Sequence, residues 1–315
     1  MTRLSASLAG LAFFLLLAAG NAPALAADSP RQLRIGYQKS GAFLVVKQQA
    51  LLERRLPGMT VQWVEFPSGP PMLEALNAGS LDFGTVGDTP PIYAQAAGVD
   101  FVYVGFKESP GDDQAILVRT DAGIAALGDL KGKRIGFTKG SSAHYLVVRA
   151  LARAGIAYKD IQPVYLSPPD AAAAFQRGSI AAWAIWDPFF ALAERDPAAR
   201  VLVTSNGIAP RNSFFLARRE YAADHPDIVT AVIGEIERGG AWAEQNQEAL
   251  ASLLAAATGV EIGAQRVAAA RGTYGARFMT DAVVQEQQAV ADAFFALGLV
   301  PKHVDVRAAV WAPAS

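Results

Sequence analysis

The sequence predicts an α/β protein built as two similar lobes, and three observations predict it. The first is an internal repeat. "RIGYQKSG", starting at Arg34, returns as "RIGFTKGSS", starting at Arg134. "EFPSGPPMLEALNAGSLD" (65–82) returns as "YLSPPDAAAAFQRGSIAA" (165–182), and "TVGDTPP" (85–91) as "AIWDPFF" (184–190). Three segments in register make coincidence a poor explanation, and a period near 100 residues is far too long for a solenoid. The second observation is alternation. Within each copy, short apolar runs rich in β-formers alternate with helical ones, the pattern of parallel sheet with crossover helices. The third is size. A chain of 315 residues without cysteine is long enough for about two domains whose cores need no covalent staple.

In chain order, residues 1–26 read as a secretory signal. Arg3 is the positive flank, "LAGLAFFLLLAAG" (8–20) the apolar run, and residues 24–26 the small-x-small site, with cleavage expected near Ala26/Ala27. The run is short for a membrane span, and no later segment approaches one. With no cysteine there is no site for a lipid anchor. A free, soluble domain in the periplasm is expected, with no direct membrane insertion.

The strands follow. "LRIGY", "VQWVEF" and "FVYVGF" belong to the first copy, "KRIGF" and "PVYL" to the second, and "AILVR" stands between them. All are rich in β-branched or aromatic residues. The helix "PPMLEALNAG" has Ser68 in N-cap position, prolines in its first turn and Gly79 at its end. After the second copy, "NSFFLARR" (212–219) reads as one more strand, and the chain then turns helical. "DHPDIVTAVIGEIERGGAWAEQ" sets Ile228, Val232 and Ile236 on one stripe. "QEALASLLAAATG" and "DAVVQEQQAVADAFFALG" follow as further helices, all expected to return to the first lobe. Lobe I is therefore assigned residues 27–115 and 211–315, and lobe II residues 116–210. The crossings are placed near 113–120 and 209–217.

In open α/β sheets, ligands bind beyond the carboxyl ends of the strands. Here those ends are the repeated turns, and two facing lobes would bring all of them to one cleft. Ser68 and Gly69, Thr89, and Gly140, Ser141 and Ser142 stand at helix starts. Such residues are ordinary caps. The same places also present unpaired N–H groups and partial positive charge, a ready anion site. Asp88 and Asp187 read as caps, since a carboxylate is a poor neighbour for an anion. Lys39 and Lys139 read as solvated charges, and His144 as a structural residue on a helix surface. Along a strand Trp183 and Trp186 face opposite ways, so Trp186, beside the turn, is the better cleft wall. Its indole offers an apolar face and one N–H donor.

Several function classes drop out. A net charge of -1 without a basic run argues against nucleic acid. There is no cysteine nucleophile, and His144, His225 and His303 show no metal-ligand spacing. No G-x-S-x-G, Walker A or G-x-G-x-x-G motif occurs. A pair of Ser141 or Ser142 with His144 is within reach but lacks a third member. The reading is a binding protein, not an enzyme, with no catalytic residue, metal or cofactor.

"LRIGYQKSG", "WVEFPSGPPMLEALNAGSLDFGTVGDTPPIYAQAAG", "VYVGF", "DLKGKRIGFTKGSSAHYL", "DIQPVYLSPPDAAAAFQRGSIAAWAIWDPFF" and "LVPKHVDVR" carry a further reading. Across most of the mature chain they resemble the periplasmic solute-binding proteins of ABC importers for sulfonates, nitrate and taurine, the aliphatic sulfonate binders above all. The resemblance implies a type II periplasmic-binding-protein fold, two Rossmann-like lobes joined by two crossing strands around a cleft. It implies a monomer that delivers an alkanesulfonate to a membrane permease by transient docking, for sulfur acquisition. It implies ligand contacts from Gln38, Ser68, Gly69, Gly87, Asp88, Thr89, Ser141, Ser142, His144 and Trp186, with Asp88 on the tail side or orienting an N–H. A sulfonate is a tetrahedral anion that hardly ever protonates, so it needs fixed neutral donors and an apolar wall for its tail. Taurine, nitrate or another small organic anion is the alternative ligand. Lys39, Arg211 and Asn212 are candidates for selectivity. The related aryl sulfinate desulfinases use a cysteine that this chain lacks.

Overall fold

Each copy of the repeat builds one five-stranded sheet in the computed structural model, which describes residues 31–109, 111–209 and 212–312. The signal segment expected at 1–26 lies outside the described residues. The first copy runs β1 (Arg31–Tyr37), α1 (Ala42–Gln48), α2 (Leu51–Arg55), β2 (Met59–Glu65), α3 (Gly69–Asn77), β3 (Phe83–Gly87), α4 (Thr89–Ala97) and β4 (Phe101–Glu108). After β5 (Gln114–Arg119), the second runs β6 (Arg134–Phe137), α5 (Ser142–Arg153), β7 (Gln162–Tyr165), α6 (Pro168–Gln176), β8 (Ala182–Trp186), α7 (Phe189–Ala193) and β9 (Ala199–Thr204). Then come β10 (Asn212–Arg218), α8 (Arg219–Asp224), α9 (Pro226–Gln245), α10 (Gln247–Thr258), α11 (Ile262–Arg271) and α12 (Asp281–Ala296).

The strand orders are β2-β1-β3-β10-β4 and β7-β6-β8-β5-β9. They are the same order twice, with β5 and β10 exchanged. Each of these two strands enters antiparallel, β10 between β3 and β4, β5 between β8 and β9. The chain passes from one sheet to the other between β4 and β5 and returns between β9 and β10.

Alternation along β10 shows how both faces are used. Phe215 and Ala217 join Val45, Val229 and Leu250 in a core beneath α1, α9 and α10. Phe214 and Leu216 point the other way, into a core with Met72, Ile92 and Phe294 that continues into the second sheet through Ile116 and Ala184. The period-2 strand pattern thus supplies two cores from one sheet.

The late helices α9, α10 and α12 pack on the first lobe, against α1 and α4. Two departures from the sequence reading stand out. Phe294 of α12 also reaches His144 and Tyr145 of α5, with ring centroids 5.2 and 5.9 Å apart. And α11, not anticipated, packs on α10 and on α7 of the second lobe, with Ala264 and Ala268 against Ala191. Its sequence, IGAQRVAAAR, has small residues all round and no apolar stripe, so no periodicity announces it.

Candidate ligand-binding site

A cavity of about 80 Å³ lies between the two sheets. That is several times the ~10–15 Å³ a single water needs. Its walls come from the carboxyl ends of β1, β3, β6 and β8, together with β4, β10 and the stretch from α10 to Tyr274. Of the ten residues named from sequence, Gln38, Gly69, Gly87, Ser141, Ser142 and Trp186 border it.

Two glycines set the approach of the walls. A Cβ on Gly69 would lie 2.6 Å from Cγ of Pro90. A Cβ on Gly87 would lie 3.0 Å from Cβ of Ser142, on the opposite lobe. Gly140, with φ +71°, turns the chain into α5 and lies against Tyr93 of the first lobe. Any side chain at Gly87 would hold the lobes apart.

The donors are unevenly shared. α3 begins Gly69, Pro70, Pro71 and α4 begins Thr89, Pro90, Pro91, so each has lost two of its first N–H groups to proline. α5 begins Ser142, Ala143, His144 with no proline; the His144 N–H donates to the Ser141 carbonyl at 3.0 Å, and the Ser142 and Ala143 N–H groups belong to the part of the first turn that a helix leaves without intrahelical partners. The serine hydroxyls are already engaged. Ser141 Oγ donates to the Thr138 carbonyl at 2.7 Å and Ser142 Oγ to Gln114 Oε1 at 2.8 Å. Backbone N–H groups, rather than serine hydroxyls, are the donors left at the start of α5. Gln38 Nε2 donates to the Thr85 carbonyl at 3.2 Å, which fixes the side chain over the end of β3.

Trp186 and Trp183 divide as alternation predicts. Trp183 packs on Phe175 in the core, while Trp186 borders the cavity. Asp187 follows it. Its Oδ1 accepts the Ala191 N–H at 2.8 Å, as a helix cap should, and stands 3.7 Å from Arg271 of α11. Its Oδ2 has no hydrogen-bond partner although the residue is 7% exposed. Burial pushes this carboxyl up to about 7, against the pull of Arg271 and the Ala191 N–H, with Asp113 and Glu194 adding to the rise. Arg271 also bonds Glu194 at 2.8 Å and covers the Phe190 ring at 4.3 Å, so α11 joins the two lobes beside the cavity.

Four predicted contacts lie outside the lining. Ser68 is the buried N-cap residue of α3, one residue from Gly69, with no capping bond from its side chain. Asp88 Oδ1 accepts the Thr89 hydroxyl at 2.7 Å rather than a helix N–H, and the Asp88 carbonyl accepts Gln287 Nε2 of α12 at 2.6 Å. Thr89 is fully buried, and Asp88 borders a separate cavity with Tyr145, Arg149 and Glu286. His144 is not on a helix surface. It is fully buried, stacked on Phe137 at 4.9 Å, with Nδ1 accepting the Gly140 N–H and Nε2 facing the Tyr158 hydroxyl at 2.9 Å. Burial, and secondarily Lys139, pushes its pKa down to about 3, so the ring stays neutral. Its bonds support the Gly140 turn at the start of α5, and neither serine hydroxyl is its partner. Lys39 borders the main cavity. Asn212 instead donates to Glu286, and Arg211 lies outside the described residues.

The sequence reading missed Thr85, Lys107, Asp113, Ser213, Gln265, Thr273 and Tyr274, all of which border the cavity. Lys107 and Ser213 sit on β4 and β10, strands recognised only as apolar runs. Gln265, Thr273 and Tyr274 come from α11 and the loop after it, where no repeat or motif gives a signal.

The NMT1-like family model matches residues 26–258. An aliphatic sulfonates-binding protein of Escherichia coli (strain K12) is 42% identical over 302 residues, 95% of this chain and 94% of the relative. The alkanesulfonate-binding protein from Xanthomonas axonopodis pv. citri, solved bound to MOPS, matches with a TM-score of 0.86 and 42% identity, over 90% of this chain and 99% of that one. The periplasmic aliphatic sulphonate binding protein from Escherichia coli matches with a TM-score of 0.82 and 42% identity, over 91% and 94%. These relatives are binding proteins, and the two-lobed fold expected from the repeat is theirs. No helix among the described residues is long and apolar enough to cross a membrane. The chain belongs to the NMT1-like family, in the group of the aliphatic sulfonate-binding proteins.

Proposed function

We propose that the protein is the solute-binding component of an ABC importer, which captures an aliphatic sulfonate in the periplasm and hands it to the membrane permease as a source of sulfur. One observation carries the reading. The proline-free start of α5 faces Gly69 and Gly87 across the cavity, with Trp186 as an indole wall beside them. N–H groups at a helix start suit a tetrahedral anion without neutralising it, so the ligand stays releasable. The indole suits an organic tail. Nitrate has no tail for that wall. The relative bound to MOPS holds a sulfonate with a ring on its tail, and a comparable tail fits this reading. Lobes at 27–115 with 211–315 and at 116–210, signal cleavage near Ala26/Ala27 and a monomeric state complete the proposal.

Calorimetric titration of the mature chain, in a buffer free of sulfonates, is expected to show one-to-one binding of a short alkanesulfonate and no heat with nitrate. Binding of nitrate or sulfate, with every sulfonate silent, overturns the substrate assignment.

A further inference from the structure

We propose that Arg271 of α11 and Asp187, just before α7, form a clasp between the lobes that shuts when ligand binds, so that Arg271 sets sulfonate affinity without touching the sulfonate; this rests on the sulfonate reading of the cleft.

The first observation is a pair that stops short of contact. Asp187 Oδ2 and Arg271 Nη1 are both buried, and neither has a hydrogen-bond partner. Their side chains already face each other, with Nη1 3.7 Å from Asp187 Oδ1. The other arm of the guanidinium, Nη2, is held by Glu194 at 2.8 Å, and the group lies over the Phe190 ring at 4.3 Å. Arg271 is therefore anchored on α7 by one nitrogen while the second is unmatched. Two unmatched buried groups of opposite charge are costly. A charge-assisted bond between them forms at about 2.8 Å, so an approach of about 1 Å satisfies both.

The second observation is where the pair sits. α11 packs on α10 and reaches α7 of the second lobe through Ala264, Ala268 and Ala191, small side chains that let the helices come close. Arg195 and Glu261, 3.2 Å apart, span the same contact. Asp187 lies between Trp186, a wall of the cavity, and α7. Asp187 borders the cavity and Arg271 lies behind it. Movement of α7 toward α11 therefore carries Trp186 with it. A ligand that draws the lobes together favours the shut clasp, and a clasp that shuts raises the apparent affinity by populating the binding-competent state. Arg271 is a positioning residue in this scheme.

The test follows ethane-, butane- and hexanesulfonate by calorimetry, and their release by stopped-flow tryptophan fluorescence, in Tris at about pH 8, where Asp187 is ionised. Arg271→Ala is expected to bind about tenfold more weakly, by the same factor for every tail, with the loss in the dissociation rate. Asp187→Asn should weaken binding comparably, and the double variant should be little worse than either single one. Without ligand, the effects of the two substitutions on the urea midpoint should add. Affinity of Arg271→Ala within about twofold of wild type, losses that multiply in the double variant, or equal coupling without ligand each overturns the proposal. A crystal structure of the wild-type chain with butanesulfonate gives an answer however the variants fold. Nη1 is expected within about 3.0 Å of an Asp187 oxygen, whereas an unchanged separation, or a sulfonate oxygen on Nη1 itself, overturns the clasp. If the wild type binds no sulfonate, the reading of the site fails and takes the clasp with it, a result distinct from all the others.

Discussion

Asp88 and Asp187 stand at the same place in two copies of one turn, and the fold uses them differently. Gly87 and Trp186 precede them, a proline follows each within two residues, and both turns end the third strand of their copy. Asp187 faces the cavity and caps the next helix. Asp88 is taken by the Thr89 hydroxyl, and its carbonyl by Gln287 of α12, a helix that only the first lobe carries. A second difference sits six residues earlier. The Asp82 N–H donates to the Arg34 carbonyl and the Ala181 N–H to the Arg134 carbonyl, so Asp82 and Ala181 are equivalent. Asp82 is buried and accepts from Arg34 at 2.6 Å, with Arg218 at 3.6 Å, whereas the second lobe has no such carboxylate. The duplication fixes where the chain turns. What each turn does depends on the elements added outside the repeat.

Four experiments would break or sharpen this contrast. The largest effect is expected at Asp82. Asp82→Ala removes a buried carboxylate that joins β1 to β3 and β10, and should cost about 3 kcal/mol of stability in urea unfolding. Arg134→Ala, at the exposed position in the second lobe that corresponds to Arg34, should stay within about 0.5 kcal/mol. Equal losses would mean that the two lobes are held together alike.

Next comes Gly87→Val. Its Cβ would meet Ser142 across the cleft, so the variant should fold normally yet lose sulfonate affinity on the order of 100-fold. Unchanged affinity would show that the lobes need not approach at this point. A smaller effect, about tenfold, is expected for Trp186→Ala. It should grow with tail length, because each buried methylene contributes about 0.8 kcal/mol. A loss that is the same for every alkanesulfonate would move Trp186 from the tail to the anion.

The smallest effect is in pH dependence, where two groups oppose each other. His144 is held neutral down to about pH 3, while its unfolded form takes up a proton near its ordinary value of 6.5. Protons therefore favour the unfolded chain between these values, and stability falls as pH drops through 6.5. Asp187 holds its proton up to about pH 7, against 3.8 when unfolded. The folded chain binds more protons there, and stability falls as pH rises from about 4 to 7. In the wild type the two trends offset in part. In His144→Gln the Asp187 trend should emerge, with a lower urea midpoint at pH 7 than at pH 5. In Asp187→Asn the order should reverse. Parallel profiles in the two variants would remove both groups as the cause.

The repeat made the architecture legible. The alternation of strands and helices, the extra strand at "NSFFLARR" and the helix starts all follow from strand chemistry, capping residues and prolines that act locally, whereas the place of that strand between β3 and β4 is set by the fold. The cavity was legible only where it is built from repeated turns, at Gln38, Gly69, Gly87, Ser141, Ser142 and Trp186. Asp88 and His144 share those turns but are claimed by tertiary partners, Gln287 and Tyr158, that no local signal reveals, and the buried Thr89 hydroxyl is taken by its neighbour Asp88. Gln265 and Tyr274 reach the cavity from α11 and its loop, whose alanine-rich sequence has neither a motif nor a repeat partner.

The central claim is that a sulfonate binds between the lobes with its charge at the start of α5. A crystal structure of the mature chain with butanesulfonate tests it most directly. The account predicts sulfonate oxygens within hydrogen-bonding distance of the first-turn N–H groups of α5, and the tail against Trp186. A ligand bound elsewhere, or one whose sulfonate lies against Asp113 and Asp187, would contradict it.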